Sequence, residues 1–105
     1  MSSFMLRDGT LTDDPIEWAL NKQQNDPRVA RTAIIAHGHQ FVISTVFIGI
    51  MPSTIFETMV FGPGDYPSDC VRTRTEDEAK LVHAACVVRA NRGDYNEKHN
   101  TYLDD

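Results

Sequence analysis

The residue most open to a chemical reading is Glu57, an acid inside Ile55-Phe56-Glu57-Thr58-Met59-Val60-Phe61. An ionised carboxylate in so apolar a run needs a partner or water. Arg31, Arg72 and Arg74 are the candidate partners for a cross-strand ion pair and the candidate binding cations. The sharper alternative is a general base of raised pKa. His83 follows on an amphipathic stretch. Meeting Glu57 across a core face, it would complete an acid–base couple; the plainer reading is a partly buried imidazole bonded to backbone or a carboxylate. His37 and His39 flank Gly38 and offer two imidazoles to a metal, but further ligands are not evident, so polar turn residues are the plainer reading. Arg72 and Arg74 near Cys70 would lower its pKa, yet no partnered histidine accompanies that thiol. Gly62-Pro63-Gly64 lacks the lysine of a phosphate loop. Ser44 and Thr45 read as hydrogen-bonding groups. No cofactor is implied.

These residues need a scaffold, and the chain punctuates one. Phe4, Met5 and Leu6 add a short strand or tuck against the core, and Asp8-Gly9 is a turn. Asp14-Pro15-Ile16-Glu17 starts a helix, with Asp14 as N-cap, Pro15 in the first position and Glu17 reaching back. Ile16, Ala19 and Leu20 give it an apolar side, and Asn25-Asp26-Pro27 ends it near Gln24. Val29–Ala36 is a strand, and a hairpin turn around Gly38 leads to Gln40–Ile50. Apolar at odd and even positions alike, Gln40–Ile50 reads as a central strand buried on both faces. Pro52-Ser53 breaks that run. Ile55–Phe61 is the third strand and Cys70–Arg74 a short edge strand.

Thr75-Glu76-Asp77-Glu78 is a capping box. It opens a helix running to about Asn91, with Gly93 placed as its C-terminal cap. Ala79, Val82, Cys86 and Arg89 form one stripe of that helix and Leu81, Ala85 and Val88 a second, read together as one wide apolar face over the sheet. Residues 94–105 are polar and read as a frayed tail beyond a core of about 4–92. The expectation is a single α+β domain: an antiparallel sheet of three long strands plus a short edge strand, with an N-terminal helix and a longer C-terminal helix packed on it.

Composition limits function. The chain has 105 residues, 10 basic and 15 acidic, for a net charge of −5. That balance argues against a grip on nucleic-acid backbones. It is too mild and too scattered for a DNA mimic. Two cysteines fit free thiols in a reducing compartment. With no membrane-length apolar run and no leader pattern, the expected location is the cytoplasm.

Ser44-Thr45-Val46-Phe47-Ile48-Gly49, Phe56-Glu57-Thr58-Met59-Val60-Phe61-Gly62 and Thr75-Glu76-Asp77-Glu78-Ala79 with His83 together resemble a family of small bacteriophage and prophage proteins. The family usually carries a longer glycine-rich stretch between the second and third strands than Met51–Thr54 here. The resemblance implies a viral origin and a host-cytoplasm setting, and supplies no activity. On it rests the leading expectation: a non-enzymatic accessory protein that binds a host protein. Self-association is also expected, because an exposed strand or helix face on so small a domain is readily buried by a second copy. The alternatives are a small enzyme or nucleotide-binding module using Glu57 and His83, and a virion or assembly component.

Overall fold

The computed structural model describes residues 2–62 and 70–92, and the backbone of 95–96 and 101–102. The chain runs β1 (Phe4–Met5), β2 (Leu11–Thr12), α1 (Pro15–Gln24), β3 (Arg28–Ala36), β4 (His39–Ile50), β5 (Thr54–Phe61), β6 (Cys70–Thr73), α2 (Glu76–Arg92), β7 (Tyr95–Asn96) and β8 (Thr101–Tyr102). This is the α+β architecture the sequence predicts, with β1 and β2 added to the sheet. The stretch read as frayed contains a further antiparallel pairing of β7 with β8. The loop at 63–69 and the cap assigned to Gly93 lie outside the described residues.

All pairings in the main sheet are antiparallel. β4 is its axis, with β5 and then β6 along one edge. β3 and β1 share the other edge, β3 against 39–46 and β1 against Ile50. His37 and Gly38 both have positive φ, 54° and 79°. They form the two-residue connection that such tight hairpins favour. His39 is already in β4. At the far end, Gly49 has φ 78° and lies where the β4–β5 register shifts. A Cβ there would collide with the Met5 carbonyl oxygen and the Phe47 ring, so β1 approaches only because this residue is glycine.

Alternation along β4 divides the sheet into two faces. Phe41, Ile43, Thr45 and Phe47 are buried beneath α2, and Val42, Ser44, Val46 and Ile48 are half-buried on the other side. β4 is therefore central, as predicted, but not buried on both faces. Among the described residues no helix covers its second face.

The core has two apolar parts. Phe41, Ile43, Val60 and Ala90 form one, joined by Ile34, Ala36, Cys86 and Val87. Phe47, Ile55, Phe56 and Ala79 form the other, with Phe47 and Phe56 edge to face at 5.6 Å. Arg7 helps close the second part, its guanidinium 5.4 Å from the Phe47 ring centre and 3.3 Å from Glu76 at the start of α2.

Both helices depart from expectation. α1 buries none of its residues, and Ile16 and Leu20 stay exposed. It is fixed instead by Trp18, which stacks on Phe4 at 4.7 Å and donates its indole N–H to the Ile48 carbonyl at 3.0 Å. Asp14 caps α1 by accepting from the Ile16 N–H, but the Asp14 N–H donates to Thr12 Oγ1, the role assigned to Glu17. The box at α2 forms in full: Glu78 N–H donates to Thr75 Oγ1, and Thr75 N–H to Glu78 Oε1. α2, however, buries Ala79, His83 and Ala90, whereas Leu81, Ala85 and Val88 point away from the sheet. The two stripes read as one face are separate.

Candidate functional site

Between the two halves of the core lies a polar band. Thr45 and Thr58 face each other across β4 and β5, and their hydroxyls hydrogen-bond at 2.7 Å. Thr45 Oγ1 also bonds His83 Nδ1 at 2.9 Å, and His83 Nε2 bonds Thr32 Oγ1 on β3 at 2.8 Å. Thr45 and Thr58 are fully buried and His83 is 7% exposed. The chain Thr32–His83–Thr45–Thr58 thus ties α2 to three strands through both ring nitrogens. A neutral imidazole donates from one nitrogen and accepts at the other, and each hydroxyl can rotate to match either tautomer. Burial lowers the His83 pKa, favouring that neutral form. The imidazole has no bond left to offer a substrate.

Glu57 lies one residue from Thr58 and therefore on the opposite side of the sheet. Its register partners are Val46 on β4 and Arg72 on β6. Arg72 Nε donates to Glu57 Oε2 at 3.5 Å. Of the three candidate arginines, Arg72 is the one that reaches Glu57. Arg31 shares the face but stands opposite Ser44, across β4. Arg74 follows the end of β6, its backbone N–H donating to Glu78 Oε1. The proposed Glu57–His83 couple is not assembled, because strand alternation puts the acid on the open face and the imidazole under α2.

Cys70 adjoins this pair, opposite Met59. Its pKa is raised, not lowered: desolvation contributes most, then the Glu57 carboxylate, with Arg72 opposing. That removes the thiolate character a nucleophile needs. His37 Nε2 lies 3.3 Å from the Asn91 carbonyl, tying the hairpin to α2. His39 meets Phe41 edge to face at 6.4 Å. No group of three potential ligands stands near either histidine, or elsewhere among the described residues.

What the structure does assemble is a surface. Arg31, Ala33 and Ile35 from β3, Val42, Ser44 and Val46 from β4, Glu57, Met59 and Phe61 from β5, and Cys70 and Arg72 from β6 all share the open face. Ile35 is 79% exposed and Phe61 47%. Ala33, Val42 and Phe61 form one apolar row straight across three strands. A shallow groove continues from it to the hairpin, lined by Gly38, His39, Gln40, Val42, Phe61 and Gly62. The Glu57–Arg72 pair borders the apolar centre on one side and Arg31 on the other. Sequence reading found the charged residues of this face but took the apolar ones for core.

None of the described helices is long and apolar enough to cross a membrane. No protein-family model, curated protein or solved structure matches the chain.

Proposed function

We propose that this chain is a small, non-enzymatic accessory protein that binds a protein partner through the open face of its sheet. The resemblance to bacteriophage proteins makes a host-cell protein the expected partner. One observation carries the reading: the apolar row Ala33–Val42–Phe61 and its neighbours Ile35, Val46 and Met59 form a continuous surface. Three strands at about 4.8 Å spacing give a patch on the order of two to three hundred Å², near the size at which exposed apolar surface marks an interaction site. An apolar centre with a charged border is the usual anatomy of a protein interface. The catalytic alternative draws no support from the site, since its acid and its imidazole occupy opposite sides of the sheet and each is already paired.

The test is affinity capture from the presumed host with two baits, the wild-type protein and the Ile35→Lys/Phe61→Lys variant. Both substituted positions are exposed, so the fold is retained. The reading expects one dominant host protein on the wild-type bait and its loss from the variant. Identical capture by both baits, or capture by neither, overturns it.

A further inference from the structure

Among the described residues, β3 is the one strand of the main sheet that is both long and paired on one side only. It runs for nine residues against β4, whereas the other outer strands are short: β6 has four residues and β2 two. Its hydrogen-bonding phase follows from β4. Phe47 donates its N–H to the Pro27 carbonyl at 2.8 Å, so the odd-numbered residues of β4 bond toward β3. Their register partners Ala30, Thr32, Ile34 and Ala36 complete that ladder. Arg31, Ala33 and Ile35 therefore turn both N–H and C=O outward, where no described group meets them.

Such an edge is normally blunted by proline, lysine or a bulge. Between Ala30 and Ala36 there is neither proline nor lysine. The bulge at Val29 and the turn at His37 lie outside this segment, one at each end. The flat segment 30–36 between them has Ala33 at its centre, with Arg31 and Ile35 equally spaced on either side. From this we infer that β3 pairs antiparallel with β3 of a second copy, about a two-fold axis at Ala33. Ala33 then exchanges two bonds with Ala33 of the second copy, and Arg31 exchanges two with Ile35 at each end. Any other antiparallel centre sets one or more of the three against the bulge or the turn. Arg31 is also kept away from its own copy and beside an apolar side chain, which its aliphatic stem covers. On the α2 side of the sheet, Thr32 stands beside Ile34 of the second copy and Ala30 beside Ala36.

The symmetry favours a second copy over a foreign strand, because the segment is its own antiparallel complement and the contact closes at two. Pairing here also doubles the apolar row of the open face. Ala33–Val42–Phe61 runs on, in register, through Ala33, Val42 and Phe61 of the second copy. The interface is a single strand wide, at the small end of interface sizes, so the dimer belongs to the weak, reversible class. The pairing rests on the backbone of β3 and does not depend on the host protein proposed above.

Sedimentation velocity and residue-resolved hydrogen exchange on the full chain, from low to high micromolar concentration, test the inference. The wild-type protein should shift reversibly from monomer to dimer. Over the same range the amides of Arg31, Ala33 and Ile35 should slow together, while those of Thr32 and Ile34, already bonded to β4, stay unchanged. Ala33→Pro removes an outward N–H and no bond to β4, so it should remain folded by circular dichroism and monomeric throughout. Phe61→Lys, two strands from the edge, should dimerise as the wild type does. A wild-type monomer at every concentration, a dimer whose three outward amides still exchange freely, or an Ala33→Pro variant that dimerises normally overturns the pairing. A dimer lost in Phe61→Lys overturns it too, by moving self-association to the open face. The amide readout uses the wild-type chain and decides the matter whether or not Ala33→Pro folds. Failed host capture would leave these readouts unchanged, and a strict monomer would leave host capture through the open face untouched.

Discussion

Replacing His83 with leucine tests the polar band directly. Leucine is close to histidine in size, so the change removes hydrogen bonds without opening a large cavity. Two bonds are lost, to Thr32 and to Thr45, at roughly 1 kcal/mol net each. The Thr45 hydroxyl keeps Thr58, so its residual cost is small, whereas Thr32 loses a buried partner. After the gain from burying an apolar group in place of an imidazole, the expected loss is about 2–3 kcal/mol. For a chain of this length that lowers Tm by roughly 10–15 °C. Converting Thr32, Thr45 and Thr58 to valine in the same protein should recover most of the loss, because no hydroxyl is then left without a partner. The pH dependence supplies a second readout. Burial depresses the folded-state pKa of His83 below its unfolded value near 6.5. The unfolded chain therefore binds the proton first as pH falls. Stability from this residue is complete above about pH 6.5 and declines below it, by up to about 1.4 kcal/mol per pH unit. The difference between wild type and His83→Leu, measured by urea unfolding from pH 7.5 to 5, isolates this contribution. An unchanged Tm, a valine quadruple variant no more stable than the single one, or parallel pH profiles would refute the reasoning.

Glu57→Gln should lower stability by less than about 1 kcal/mol, because Arg72 is 61% exposed and solvent screens the pair; chemical denaturation measures it. Gly49→Ala should cost more, about 2–4 kcal/mol, since it adds a Cβ at φ 78° against the Met5 carbonyl and the Phe47 ring. Its expected signature is loss of β1 and α1 from the protected set in hydrogen exchange. Thr75→Ala removes the hydroxyl of the α2 capping box and should cost about 1 kcal/mol in thermal unfolding. Thr73→Val should leave Tm unchanged or raise it, because Thr73 Oγ1 is buried with no hydrogen-bond partner.

Local features of this chain were legible in its sequence, and features set by facing direction were not. The Thr75–Glu78 box, the hairpin at Gly38 and the ends of α1 depend on residues within a few positions of each other, and each formed where the pattern placed it. Glu17 lost its capping role because Thr12, just outside the pattern, reaches the same N–H. Apolar content assigned β4 to the middle of the sheet correctly. It could not distinguish a strand with two covered faces from one whose second face is left open, since Val42 and Val46 look alike in either case. For α2, Leu81, Ala85 and Val88 and the stripe through Ala79 and Cys86 were each visible; the position of the sheet decides that the second is covered and the first is not. The ion pair between Glu57 and an arginine was readable, and the register selected Arg72. The polar band was legible only in part: Thr45 and His83 read as hydrogen-bonded groups, but their joining to each other, to Thr32 and to Thr58 was hidden because the four come from four elements. Thr45, Thr58 and His83 also share the phase of core residues such as Phe47, Phe56 and Ala79.

The most direct test of the open sheet face as the binding surface is hydroxyl-radical footprinting of the protein alone and in complex with the captured partner. The account predicts strong protection of Ile35, Met59 and Phe61, with Ile16 and Leu20 on α1 labelled equally in both states. Protection confined to α1 or to the outer side of α2, with Ile35 and Phe61 still fully reactive, would contradict it.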